Sequence, residues 1–286
     1  MSKSEAPRAR AVEWQPGHIR GATHDVPVRV FRPSAGHSGW LVWAHGGSWH
    51  GGSVAGWHRP CADLSRLSGC AVVSVEYRLA PDDPHPAALN DVLTALDWAQ
   101  RKSEQEGLPA ASVGGDSAGG TVAACAAVVR RDQGRPLTAQ VLAYPPFDPS
   151  CRAPSYTRYE GNFPTREGLA GAWRSYRSGA SKGSALPSTP FEVDDLSGLA
   201  PAILGVGEFD AVADDVRQYA DRLREAGNDL EFQEFPQMAH GAFLQPSAPG
   251  RSRAGGPSAL RPWLGAALRR RYPSAAAAPG LAESTG

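Results

Sequence analysis

No stretch of this 286-residue chain is apolar for long enough to cross a bilayer as a helix. Residues 1–10 are polar and basic, without the apolar core that a secretory signal needs. Neither sign of charge is in excess. Lys+Arg number 29 and Asp+Glu 29, so nothing points to a nucleic-acid partner or an acidic membrane surface. Cysteine is scarce. Cys61, Cys70, Cys125 and Cys151 form no Cys-x-x-Cys pair and have no His at zinc spacing, so no metal is expected. They read as reduced thiols of a cytoplasmic protein, and a Cys61–Cys70 disulfide is the disfavoured alternative there. No internal repeat is present.

What is present is a globular composition, 41% hydrophobic and 20% charged, in a length that suits one large domain with a buried core. The chain is organised around Ser112-Val113-Gly114-Gly115-Asp116-Ser117-Ala118-Gly119-Gly120, read as a strand, a tight turn and a helix over 121–131. Gly115, Ser117 and Gly119 fit Gly-x-Ser-x-Gly, the nucleophile-elbow pattern. Such a turn strains the serine backbone and crowds the positions two before and two after it, so both want no side chain. It also sets the hydroxyl at a helix N-terminus, where free N–H groups favour developing negative charge. With Gly 32 in the chain, the pattern alone is equally compatible with an ordinary Gly/Ser turn capping a helix. The surroundings decide between the two.

Residues 1–16 read as a disordered N-terminus. Residues 24–32 alternate as a strand, with 18–23 its hairpin partner, and Trp40-Leu41-Val42-Trp43-Ala44 is an apolar run expected of a strand covered on both faces. It ends in His45-Gly46-Gly47-Ser48-Trp49. A helix over 59–68, a strand over 70–75 and an amphipathic helix over 87–105 follow, then the elbow and a strand over 140–144. Over about 147–196 the strand–helix rhythm stops, apart from a helix at 166–178. That is too long for a plain loop, so it reads as a small helical cap inserted over the site. A strand at 202–206, a helix at 212–226, a strand at 230–235 and a helix at 257–271 complete a domain spanning 17–272, and 273–286 is a low-complexity, disordered tail. The expected fold is α/β, a mostly parallel, doubly wound sheet, which binds ligands at the carboxyl ends of its strands. His45, Ser117, Asp210 and His240 all fall just after predicted strands.

Acyl transfer by serine needs a base, an acid that orients the base, and donors for the oxyanion. His240, in a loop after the last strand between Ala239 and Gly241, is the best base, and Asp210 is the best acid. The chain order Ser117, Asp210, His240 is the one used by α/β-hydrolases. Glu208, Asp214 and Asp215 compete with Asp210; the latter two also suit the capping of a helix start.

At this point the chain resembles the hormone-sensitive-lipase-like branch of the α/β-hydrolases, the bacterial carboxylesterases. The resemblance rests on His45-Gly46-Gly47, Tyr77-Arg78-Leu79-Ala80-Pro81 with His85-Pro86-Ala87-Ala88, and Gly115-Asp116-Ser117-Ala118-Gly119-Gly120. It continues through Asp195-Leu196-Ser197-Gly198-Leu199-Ala200-Pro201, Phe209-Asp210 and His240-Gly241-Ala242-Phe243, in family order from about 39 to 244. It implies the α/β-hydrolase fold, hydrolysis of small to medium acyl or aryl esters without a cofactor, and a catalytic triad of Ser117, Asp210 and His240. It further implies an oxyanion hole from Gly46, Gly47, Ser48 and Ala118. Two departures stand out: Ser48 replaces the usual third glycine, and little chain precedes the first strand. His-Gly-Gly-x-Trp also resembles arylformamidases, so formamide or amide hydrolysis is an alternative. Others are a biosynthetic tailoring hydrolase or acyltransferase and, remotely, a catalytically dead ligand-binding module.

Several residues carry two readings. Asp116 is either catalytic or, more in keeping with its place beside the elbow, a partner of local backbone. Trp49, Trp57 and Trp173 either line a substrate pocket or pack the core and cap. His45 braces the oxyanion loop, His50, His58 and His85 are loop or packing residues, Arg78 is an ion-pair partner and Cys125 is packing. The expected partner is a small-molecule ester, with no nucleic acid or membrane; a homodimer is compatible with the sequence.

Overall fold

The computed structural model describes residues 11–182, 185–246 and 257–272. Strands β1 (Val12–Arg20), β2 (Asp25–Pro33), β3 (Trp40–Ala44), β4 (Ala71–Val75), β5 (Ser112–Asp116), β6 (Gln140–Ala143), β7 (Ala202–Gly207) and β8 (Leu230–Phe235) form one sheet in the order β1-β2-β4-β3-β5-β6-β7-β8. β1, β2 and β4 pair antiparallel in turn; every other pair is parallel. The apolar runs explain why the sheet sits where it does. Every residue of β3, β4, β5, β6 and β7 is buried, as strands covered on both faces require.

Helices α1 (His58–Ser68), α2 (Ala87–Glu106), α3 (Ala118–Asp132), α4 (Pro154–Arg158), α5 (Arg166–Tyr176), α6 (Ala213–Glu225) and α7 (Leu260–Arg271) complete the described elements. Handedness assigns the faces. The crossover β3-α1-β4 steps one way along the sheet, whereas β4-α2-β5, β5-α3-β6 and β7-α6-β8 step the other. Right-handed crossovers therefore put α1 on one face and α2, α3 and α6 on the opposite one. α7 returns to pack on α1. α4 and α5 lie in the expected cap segment, and α5 starts at Thr165, whose hydroxyl accepts from the Gly168 N–H.

The N-terminal end corrects the sequence reading. Residues 11–16 are not loose: β1 begins at Val12 and runs in register from Val12 opposite Pro33 to Arg20 opposite Asp25. This edge strand shows mostly exposed side chains and contains Pro16 and Gly17, so its sequence lacks an apolar alternation. At the other end, Tyr272 is held in the fold. It is buried, and its hydroxyl lies 2.7 Å from Ser112 Oγ and donates toward the carbonyl of Trp40. Residues 1–10 and 273–286, also expected to be disordered, lie outside the described residues. No described helix is long and apolar enough to cross a membrane.

Candidate active site

The carboxyl ends of β3, β5, β7 and β8 converge. After β5 the chain turns through Ser117 at φ 51°, ψ −127°, a left-handed conformation for a residue with a side chain. The turn is held by Ser117 N–H on the Ala143 carbonyl (2.8 Å) and Gly120 N–H on the Ser117 carbonyl (2.8 Å). Its crowding is severe. A Cβ at Gly115 would lie 2.4 Å from the Gly119 carbonyl oxygen, and one at Gly119 would lie 2.1 Å from that of Ala44. Only glycine fits at either place.

Ser117 Oγ lies 2.8 Å from His240 Nε2, and His240 Nδ1 lies 2.9 Å from both carboxylate oxygens of Asp210. Asp210 is fully buried, and its Oδ1 also accepts from Val212 N–H. With Nδ1 donating to the carboxylate, Nε2 is free to accept the serine proton. The rival acids are engaged elsewhere. Glu208 accepts from Gln237 N–H, Asp214 pairs with Arg217, and Asp215 accepts from Phe147 N–H, Asp148 N–H and Tyr156 Oη.

The loop after β3 faces the same point. His45 keeps its Nδ1 on the Gly46 carbonyl (2.8 Å) and stacks on Tyr77, whose hydroxyl donates to the His45 carbonyl. Burial lowers the His45 pKa, so the ring is neutral at pH 7 and acts as a brace. Ser48 and Trp49 follow at φ 55° and 62°.

Asp116 organises this loop, a role the sequence reading missed. Its Oδ1 accepts from Trp57 Nε1 (2.8 Å), Trp43 Nε1 (3.2 Å) and Gly46 N–H (3.2 Å). Burial raises its carboxyl to about 7, against the pull of these three donors. The signal available in sequence was an acid next to the elbow and tryptophans around the glycine loop. Gly46, an oxyanion-hole candidate, thus points its N–H at Asp116, and Trp57, a pocket-lining candidate, donates to the same oxygen. Among the described residues no hydrogen bond occupies the N–H of Gly47 or Ser48, and Ala118 N–H is at the start of α3, where intrahelical partners are lacking.

Trp49 and Trp173 are both buried, 4.3 Å apart, and Trp49 stacks on Tyr176 at 4.6 Å. They join the glycine loop to the cap helix α5. His85 also serves the cap, with Nε2 2.9 Å from the Leu186 carbonyl and Nδ1 3.2 Å from Tyr176 Oη. Arg78 bonds Asp91 through Nε and Nη2, and His58 bonds Arg29. His50 is exposed, with its Nδ1 on the Ser48 carbonyl. All four cysteines are buried and free, which excludes the Cys61–Cys70 disulfide; burial pushes the Cys61 and Cys70 thiols up to about 12. No group of His, Cys, Asp or Glu among the described residues could hold a metal ion.

A serine–histidine–aspartate row on an elbow, at the carboxyl edge of a parallel sheet, defines a hydrolase site of one fold class. The model of a family with the alpha/beta hydrolase fold matches residues 41–244, and the chain belongs to that family. Among its relatives, "Carboxylesterase NlhH" of Mycobacterium tuberculosis (strain ATCC 25618 / H37Rv) is 37% identical over 238 residues, 78% of this chain and 74% of that protein. "Carboxylic ester hydrolase LipN" of the same strain is 34% identical over 264 residues, 88% and 70% of the two chains. Among solved structures, esterase LipW from Mycobacterium marinum superposes with a TM-score of 0.82 at 32% identity, covering 93% of this chain and 84% of that one.

Proposed function

We propose that this protein is a serine hydrolase of small-molecule carboxylic esters, with Ser117 as nucleophile, His240 as base and Asp210 as the acid that orients it. The observation that carries the reading is the continuous row Ser117 Oγ–His240 Nε2–His240 Nδ1–Asp210, at 2.8 and 2.9 Å. Ser117 Oγ attacks the ester carbonyl while His240 Nε2 takes its proton. The new imidazolium is stabilised by Asp210. The oxyanion is met by the N–H groups of Ala118, Gly47 and Ser48, each worth about 3 kcal/mol of barrier. The tetrahedral intermediate collapses, His240 returns the proton to the departing alcohol oxygen, and the acyl group stays on Ser117. Water then attacks this acyl-enzyme, giving its proton to His240; the bond from the acyl carbon to Ser117 Oγ breaks, His240 returns the proton to Oγ, and the carboxylic acid leaves. A reducing, cytoplasmic setting is supported by the four free, buried thiols.

Hydrolysis of p-nitrophenyl acetate by the wild type and Ser117→Ala tests the proposal. The expected result is a loss of roughly four orders of magnitude in kcat in a variant with an unchanged circular dichroism spectrum. Retained turnover would refute it.

A further inference from the structure

We infer that Phe163 recognises the alcohol half of the ester, and that the substrates of this enzyme carry an apolar, aromatic or bulky alkyl leaving group; this rests on the ester-hydrolase reading above. Phe163 lies in the cap, between α4 and α5, and is 70% exposed, more than any other large hydrophobic side chain described. Its exposure is not that of a stray surface residue. The ring stands edge-on to His240, with centroids 5.7 Å apart. The neighbouring Asn162 fixes the loop, donating from Nδ2 to the Phe209 carbonyl (3.2 Å) and from its N–H to the Tyr159 carbonyl (3.0 Å). Phe209 is itself 40% exposed, packs 5.9 Å from Tyr159, and immediately precedes Asp210. Two solvent-facing aromatic rings are thus held beside the acid and base, where polar side chains would be hydrated at no cost.

The chemistry says which half of the ester this rim meets. The bond from Ser117 Oγ to the acyl carbon forms, and the bond from that carbon to the alcohol oxygen breaks. The serine proton travels through His240 Nε2 to the alcohol oxygen, so the leaving group must lie against His240 when the bond breaks. The acyl group remains on Ser117 instead. Two aromatic rings lie against the imidazole: Tyr144, 4.7 Å away, is buried, and Phe163 is open to solvent, so Phe163 is the ring that the alcohol portion can reach. The aromatic cluster Trp49–Trp173–Tyr176 is closed to solvent and offers no such open face.

Two substrate series separate the halves. In one, acetyl is held and the alcohol grows from ethanol to 2-phenylethanol, which differs little from ethanol in leaving-group acidity. In the other, the ethyl group is held and the acyl chain grows from acetyl to butyryl to hexanoyl. The wild type should prefer 2-phenylethyl over ethyl acetate. Phe163→Ala should lower that ratio of kcat/KM about tenfold, chiefly through KM, and shift the hexanoyl-to-acetyl ratio by less than about twofold. Phe163→Tyr should keep the wild-type ratio. The inference is overturned if the alcohol ratio does not move in Phe163→Ala, or if the acyl ratio moves in its place. A uniform fall in kcat with a displaced acid limb of the pH profile would also overturn it, because Phe163 would then only position His240. If the wild type turns over no ester in either series, the ester-hydrolase reading itself fails, which is a different result from an enzyme indifferent to its alcohol.

Discussion

Ser117 and Ser48 both hold the backbone in the left-handed region, at φ 51° and 55°, within one site. At Ser117 the hydroxyl lies 2.8 Å from His240 Nε2. At Ser48, among the described residues, neither the N–H nor the hydroxyl makes a hydrogen bond. Ser48→Gly keeps the donor and removes the conformational penalty. It should therefore leave kcat on acetyl esters within a few-fold and extend acceptance toward bulkier acyl groups, read as kcat and KM on acetyl, butyryl and hexanoyl esters. A uniform drop of tens to hundreds would make the hydroxyl itself an oxyanion or substrate donor. That Ser117, Asp210 and His240 come together was legible in sequence because each follows a strand of one parallel sheet. The work of Asp116 was not, because its partners Trp43, Gly46 and Trp57 lie 59 to 73 residues away along the chain.

Between elements, the cap is clamped to the loop that carries Asp210. Ser155 donates to the Ala211 carbonyl (2.7 Å) and accepts from Asp214 N–H (3.1 Å). Tyr156 donates to Asp215, which also holds the turn after β6 through Phe147 and Asp148 N–H. The sequence reading placed α5 within two residues of its end, yet gave no hint of this clamp, since hydrogen bonds between α4 and α6 leave no periodicity to read. Burial raises the Asp215 carboxyl to about 7, outweighing its three donors. In the unfolded chain an aspartate titrates near ~3.9. Between those values the folded state binds more protons, so the contribution of Asp215 to stability is present at acid pH and is lost as pH rises toward about 7. Asp215→Asn mimics the protonated form. Urea unfolding at pH 5 and pH 8 should show the wild type losing a few kcal/mol more stability over that interval than the variant, at about 1.36 kcal/mol per pH unit for one proton. Equal slopes would mean that the Asp215 carboxyl is already ionised in the fold at pH 5.

At the scale of the whole molecule, the parallel centre of the sheet was readable, and of the antiparallel edge the strand at 24–32 and its hairpin were readable but the first half of β1 was not. Buried strands advertise themselves as apolar runs, as in β3 and β4. β1 has one buried residue and contains a proline, so its stretch before residue 18 shows itself only through its pairing with β2. Tyr272, the last residue of the expected domain, reaches Ser112 at the start of β5, a contact that no local pattern announces. The sheet's task is to bring β3, β5, β7 and β8 to one edge, where residues from 45 to 240 meet as a single reactive centre. The most direct test of that centre is labelling with an organophosphonate ester followed by mass spectrometry of the digested protein. The account predicts one adduct, on Ser117, formed in step with complete loss of esterase turnover and much more slowly in His240→Ala. Full turnover by protein labelled at Ser117, or complete inactivation by an adduct on another residue, would contradict it.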